Sequence, residues 1–367
     1  MGKKQKIIIS GINITTGGAL SVFSDFLDEL LKDKYYLENE IIILVHSRKM
    51  FQRYSDVFKI IEFPKSKKNW LNRLWYEYVF FYFLSKRLKP DIWISMHDIT
   101  PNVIAKKRFV YCHNPSPFLK MSLKDAKYGW KYYLFAKFYK YLYRINIRKN
   151  NAIIVQQKWM AKKFKKLFNI DNIIVAYPEL SDDYNFRDST NKANNIIFIA
   201  PSYPRPFKNF ELVCRATQLL EKKTKKKFEV FITLSGNENN YSKYLYDKYH
   251  LIQSIKFCGL LKRNDLFSIY EKSNCLIFVS KLETWGMPIT EFKKTGKAEI
   301  LADLPYAYEA IGEYNSVDFI NVNSPDALAN SMLKVVEGQP LDKNFIKKSD
   351  NYLIARNWKK LVDMIIG

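Results

Sequence analysis

Short apolar runs separated by longer stretches of helical period recur along the whole chain, and this rhythm narrows the fold more than any other feature. Such alternation is the pattern of parallel α/β architecture, in which each strand returns through a helix. In the first half, strands are predicted over residues 6–10, 41–45, 91–95, 108–112, 152–155 and 173–176, with helices over 20–31, 69–88 and 159–168. Residues 181–195 (SDDYNFRDSTNKANN) are polar and nearly free of large aliphatics, the composition of a linker. The rhythm then restarts, with strands over 196–200, 228–234, 255–258, 275–279, 299–301 and 317–320. Helices are predicted over 209–221, 241–249, 263–272, 288–295 and 325–337. Two such halves predict two Rossmann-like lobes, residues 1–180 and 196–345, their sheets facing across a cleft that holds ligands beyond the strands' carboxyl ends.

The chain's 367 residues suffice for two cores of ordinary size. Cys112, Cys214, Cys258 and Cys275 stand singly, which suits a reducing cytosol and offers neither a zinc site nor a disulfide framework. The basic start is followed by only Ile7, Ile8 and Ile9 before Ser10, too short for a secretory leader. No window approaches a membrane span, so a soluble or surface-attached protein is expected. A formal charge of +24 calls for a polyanionic partner or surface, with nucleic acid and an anionic leaflet as the two candidates.

Four constellations carry chemistry. After the strand CLIFVS come Glu283, Thr284, Trp285, Gly286, Met287, Pro288 and, in the first turn of the next helix, Glu291. Pro288 fits the first helical position. Gly286 allows close backbone approach to a ligand, and the free N–H groups at the helix start suit a diphosphate. Two carboxylates suit ribose and sugar hydroxyls, each accepting several hydrogen bonds. The second constellation opens the second half, where Pro201, Pro204 and Pro206 stiffen a loop that presents Arg205 and Lys208 before a helix begun by Asn209. Two cations at a strand's carboxyl end can hold a diphosphate and offset charge as it leaves.

The third is Gly17–Gly18 after the first strand, a glycine turn that brings backbone N–H groups near phosphate, although no G-x-G-x-x-G or Walker lysine accompanies it. The fourth is a pair of histidines at predicted strand ends, His97 and His113. H-E-x-x-H, G-x-S-x-G and a metal-carrying Asp-x-Asp are all missing, so cations and backbone must hold any diphosphate without a metal or other cofactor.

As a set, in this order and spacing, these elements resemble the family-4 retaining glycosyltransferases (glycosyl transferases group 1) of GT-B fold. The resemblance is most specific between residues 195 and 312. It implies that Glu291 binds the nucleotide ribose and Glu283 a hydroxyl of the donor sugar. Arg205 and Lys208 would hold the diphosphate with backbone N–H groups around Trp285, Gly286 and Met287. Gly17 and Gly18 match the family's glycine loop, His113 its histidine near the transferred sugar, and Gly259 the loop that cradles the base. Residues 346–367 match the helix that crosses back onto the first domain. The family's arginine stands five residues before its lysine; that position is Tyr203 here, and Arg205 is three before. The version Y-P-R-P-F-K-N-F is similar to enzymes that build bacterial surface polysaccharides. The implied activity is hexosyl transfer from a nucleotide-sugar, with retention, to a polyprenyl-linked glycan in O-antigen or capsule synthesis.

Between residues 119 and 150 stand Lys120, Lys124, Lys127, Lys131, Lys137, Lys140, Arg144, Arg148 and Lys149, interleaved with aromatics and opposed by Asp125 alone. Trp70, Arg73, Trp75 and Tyr78 begin a second such helix. Basic aromatic helices suit anionic lipid headgroups, so peripheral attachment to the inner membrane face is expected. The competing readings are a nucleotide-sugar epimerase or glycan phosphorylase of related architecture and a nucleic-acid-binding protein. A phosphorylase's pyridoxal-phosphate lysine site is not found, and no nucleic-acid-binding signature appears.

Overall fold

The computed structural model describes residues 4–118, 130–179, 184, 186, 195–341 and 352–367. Most of the expected linker and Lys120, Lys124, Asp125 and Lys127 of the basic stretch lie outside the described residues. The chain divides into two compact units. One comprises Met1–Phe118, Phe135–Glu179 and Asp350–Gly367; the other comprises Leu119–Leu134 and Leu180–Ser349.

The first unit is built on β1 (Gln5–Gly11), β2 (Asn39–Val45), β3 (Lys59–Glu62), β4 (Ile92–Ser95), β5 (Lys107–Cys112), β6 (Ala152–Val155), β7 (Ile173–Ala176) and, from the chain's end, β14 (Leu353–Ala355). They form one sheet in the order β14-β7-β6-β5-β4-β1-β2-β3, parallel throughout. A parallel sheet is covered on both faces, so its strands read as continuous apolar runs. Ile7, Ile8 and Ile9 are fully buried, yet they serve different layers. Ile7 and Ile9 join Phe23 and Phe26 on one face, while Ile8 joins Phe63, Phe81 and Trp93 on the other.

The helices of this unit are α1 (Gly17–Lys32), α2 (Trp70–Trp75), α3 (Phe81–Leu88), the part of α4 (Trp130–Arg144) from Phe135 on, α5 (Lys158–Phe168) and α12 (Trp358–Ile366). The helix predicted over residues 69–88 is continuous but holds a π turn, Tyr76–Phe80, between α2 and α3. Asn69 caps its start by accepting from the Asn72 N–H, and Lys89 in the left-handed region ends it before Pro90. Near the carboxyl end, Trp358 of α12 packs edge-on against Phe26 with ring centroids 5.9 Å apart.

The second unit contains β8 (Ile196–Ala200), β9 (Phe228–Ile232), β10 (Ile255–Phe257), β11 (Cys275–Phe278), β12 (Ala298–Ala302) and β13 (Val317–Ile320). Its helices are α6 (Phe210–Lys223), α7 (Asn240–Tyr249), α8 (Arg263–Lys272), α9 (Met287–Lys293), α10 (Pro305–Ile311) and α11 (Pro325–Glu337). The parallel order β10-β9-β8-β11-β12-β13 is that of a Rossmann sheet, the strand order reversing between β8 and β11. The sequence reading missed β3, β14 and α10. Each is short, and β14 owes its existence to pairing with β7 from a distant part of the chain.

Candidate active site

The strand order of the second unit brings the loops after β8 and β11 side by side. Polar contacts then stitch them together. The Lys281 N–H donates to the Phe207 carbonyl at 2.7 Å, and the Ser280 hydroxyl reaches the same oxygen at 3.2 Å. Asn209 was expected to open α6. It stands at the N-cap of α6, in the left-handed region (φ 64°), and its amide donates to the carbonyls of Val279 (3.2 Å) and Val322 (2.9 Å). An asparagine tolerates that conformation and supplies two donors, so one side chain ties together the carboxyl ends of β8, β11 and β13.

On this frame Pro206–Lys208 forms a 3₁₀ turn that projects Lys208 toward the β11 loop. Its ammonium lies 2.5 Å from Glu283 Oε1, with the two side chains only 16% and 13% exposed. The rings of Phe207 and Phe278 each stand 5.6 Å from the same ammonium. Arg205 is exposed, its guanidinium over Tyr203 (5.7 Å) and Phe207 (6.0 Å). The buried Tyr306 hydroxyl donates to the Ser280 carbonyl at 2.8 Å, and burial, with Glu283 nearby, holds its pKa well above the ordinary value.

Gly286 precedes α9 at φ +88°, where a Cβ would come within 3.1 Å of Ile289 Cδ1 and 3.2 Å of Phe278 Cε1. Only glycine suits this position. Two expectations need correction. α9 opens at Met287, so Pro288 is the second helical residue and Glu291 lies beyond the first turn. The helix start had been placed by proline's preference, but the left-handed glycine already fixes the entry one residue earlier. Glu291 is nevertheless enclosed, its side chain 13% exposed with Arg263 Nη2 at 3.8 Å from Oε1. Burial raises its pKa, while Arg263 and Lys294 oppose the shift.

Trp285 is 7% exposed, and its indole N–H donates to the Thr290 hydroxyl at 3.3 Å, so its side chain serves packing. Gly259 stands after β10, two strands from β8, at φ +71° with its N–H donating to the Leu234 carbonyl. The structure thus brings Lys208, Glu283 and the 281–286 loop together through direct contacts. Glu291 is reached through α9 and Arg263, and Gly259 belongs with the turn after β9. Arg263 and Tyr306 were missed in the sequence because neither sits in a motif.

In the first unit strand order reverses between β1 and β4; Gly17 and Gly18 stand after β1, His97 after β4 and His113 after the neighbouring β5. Gly17 begins α1 itself at φ +71°, and a Cβ on either glycine would meet nothing within 4 Å. His97 is buried and shares a 3.0 Å hydrogen bond through Nε2 with Ser10; its Nδ1 lies 3.4 Å from Glu77 Oε1 on the π turn. Burial pushes Glu77 up to about 8 against the opposing charge of Arg73, and His97 well below its usual value, so both shifts favour the uncharged forms over an ion pair. Arg73 donates to the His97 carbonyl at 3.0 Å.

Asp98, also missed, follows at φ +74°. Its Oδ1 accepts from the N–H groups of His113 (2.7 Å) and Asn114 (2.9 Å) and from the Tyr143 hydroxyl (2.9 Å). Its Oδ2 lies 3.5 Å from His113 Nε2. His113 keeps 17% of its side chain exposed, whereas His97 is sealed. A cavity of about 460 Å³ also opens in this unit, but it is lined by Lys107, Ala152, Ile173 and Leu353, the first residues of their strands. It therefore lies at the sheet edge opposite His113, away from where such sheets bind ligands. No helix among the described residues is long and apolar enough to cross a membrane.

Residues 181–352 match the family model for glycosyl transferases group 1. No curated protein matches the chain. Among solved structures, a glycosyltransferase from Rickettsia africae ESF-5 superposes with a TM-score of 0.65 at 17% identity, covering 92% of this chain and 89% of that one. Anabaena HepE, solved with UDP and glucose, gives 0.60 at 14% identity over 91% and 90%. WaaG, a glycosyltransferase involved in lipopolysaccharide biosynthesis, gives 0.64 at 12% identity over 90% of each chain. At such identities the likeness is one of fold, and the fold is GT-B.

Proposed function

We propose that this chain, whose residues 181–352 match the family model for glycosyl transferases group 1, is a glycosyltransferase that transfers a hexose from a nucleotide-sugar with retention to a polyprenyl-linked glycan in O-antigen or capsule synthesis. The observation that carries the reading is the Lys208–Glu283 pair between the loops after β8 and β11. A cation and a carboxylate held there can bind a diphosphate and an adjoining sugar hydroxyl at once. HepE, of the same fold, was solved with UDP and glucose, which supports a nucleotide-sugar as the donor class.

In this reading Lys208 and Arg205 face the diphosphate, joined by backbone N–H groups of residues 285–287. Glu283 accepts from a hydroxyl of the sugar, and Glu291 from the ribose. Gly259 accommodates the base, Gly17 and Gly18 leave room for phosphate, and His113 lies against the transferred sugar. The acceptor oxygen forms its bond to the anomeric carbon on the face from which the diphosphate departs, and the acceptor's proton passes to a diphosphate oxygen. The protein supplies orientation and fixed positive charge in a partly desolvated place, which is where such charge acts most strongly. No metal ion is needed for these roles. The acceptor is met at the inner face of the cytoplasmic membrane, toward which the exposed Lys137, Phe138, Tyr141 and Arg144 of α4 contribute.

A thermal-shift panel of UDP-, GDP- and dTDP-sugars, run beside a nucleoside diphosphate release assay, tests the reading. One donor class should raise the unfolding midpoint and be turned over with a lipid-linked acceptor. Stabilisation by none of them, with no diphosphate released, would reject it.

A further inference from the structure

The outer face of the helix running from α2 through the π turn into α3 is apolar where a water-exposed helix should be polar. Leu71 is 78% exposed, Trp75 49%, Val79 44% and Phe83 62%. They recur every fourth residue. In a regular α-helix a four-residue step drifts about 40° around the axis. The wider π turn, closed by i→i+5 bonds, takes back part of that drift and keeps the four side chains on one side. The inner face is already complete, filled by Glu77, Phe81, Leu84 and Ser85, so the stripe is not core left uncovered by a loose fit.

Its electrostatic setting is one-sided. Between residues 63 and 90 the only acid is Glu77, which is fully buried. Exposed Lys65, Lys67 and Lys68 precede the stripe, and exposed Lys86, Arg87 and Lys89 follow it. Arg73 and Tyr78, which the sequence suggested as part of a basic aromatic surface, turn inward instead. Arg73 donates to His97, and the Tyr78 hydroxyl is buried. What faces out is therefore a hydrocarbon ridge with cations at both ends.

We propose that Leu71, Trp75, Val79 and Phe83 form a ridge that inserts into the headgroup region of an anionic lipid leaflet, with the flanking lysines and arginine on its phosphates. A second copy of the chain would set these cations against their own kind, whereas an anionic leaflet meets both the apolar and the charged parts. The Trp70 ring packs edge-on against Tyr139 of α4 with centroids 6.4 Å apart, so the ridge starts beside the other basic aromatic helix. The inference deepens the lipid-linked acceptor reading and rests on it for its purpose. It does not depend on the donor chemistry.

The full chain is to be sedimented with vesicles of phosphatidylcholine and phosphatidylglycerol at 3:1 and with phosphatidylcholine alone. A Leu71→Ser/Phe83→Ser double variant goes through the same assay. The wild type should partition at least tenfold better into the anionic vesicles, and the double variant should lose tenfold or more of that binding. Its circular dichroism and nucleotide-sugar thermal shift should stay unchanged, so a failure of the donor reading would register separately. Brominated lipid should quench the wild type more than Trp75→Phe. Undiminished binding of the double variant would overturn the inference, as would equal wild-type binding to neutral vesicles. So would a dimer on size-exclusion chromatography that the variant dissolves without any vesicle binding.

Discussion

In both units strand order reverses near the middle of a parallel sheet, and the two furnish that place in different ways. In the second unit the meeting loops carry opposite charges, Lys208 and Glu283, 2.5 Å apart and still partly open to solvent. In the first unit Ser10 and His97 meet instead, with Glu77 beneath them, and burial pushes acid and imidazole toward their uncharged forms. His113, 17% exposed and held by Asp98, reaches both the surface and the network. The same topological position thus serves as an electrostatic device in one unit and as a rigid mount in the other. What separates them is whether a cation can reach the carboxylate.

The comparison breaks most readily at Lys208. Lys208→Ala should slow glycosyl transfer about a hundredfold or more, the scale of removing one group that stabilises developing charge. It should lower unfolding free energy by only about 1–3 kcal/mol, the cost of leaving Glu283 without its partner. Adding Glu283→Gln should recover stability in urea titrations but not turnover. Near-normal activity of a folded Lys208→Ala protein would remove the distinction between the two units.

Asp98 tests the mount. Asp98→Ala strands the His113 and Asn114 N–H groups and the Tyr143 hydroxyl, and forces an L-residue with no local hydrogen bond to φ +74°. About 3 kcal/mol of lost stability is expected. Asp98→Asn keeps an acceptor and tolerates the left-handed region, so its loss should be about 1 kcal/mol. Equal losses for the two variants would mean that the carboxylate is not what holds His113.

A pH dependence, smaller than the effect of Asp98→Ala, is expected as well. The native state keeps a proton on Glu77 up to about pH 8, whereas the unfolded chain releases it near 4.5. Stability should therefore fall as pH rises toward about 8 and level off above it. His97, depressed by burial, acts in the opposite sense in acid, so the clean window is pH 6.5 to 8. Across it Glu77→Gln should abolish a loss of about 2 kcal/mol seen in the wild type. Parallel wild-type and variant curves would show that Glu77 is charged in the fold.

Much of this was legible beforehand. The strand runs are mainly apolar, a signal that needs no partner to be read, and β1, β6, β7, β8 and β13 fall where it pointed. Lys208 and Glu283 could be singled out because strand ends and loop glycines mark the edge at which they lie. Asp98 and Arg263 could not, since nothing local distinguishes them from other surface charges. Their partners are His113, fifteen residues on, and Glu291, in a different helix.

Local pattern by itself determined the parallel α/β class, the doubling of the chain and the spacing of Glu283, Gly286 and Glu291, because periodicity and turn chemistry act over a few residues. Tertiary structure alone decided that Glu77 and His97 are pushed toward their uncharged forms, that Asn209 laces three strand ends, and that Leu71 and Phe83 look outward while Arg73 turns in. Desolvation and pairing depend on which distant segments close around a side chain, and the sequence names that side chain without saying what will surround it.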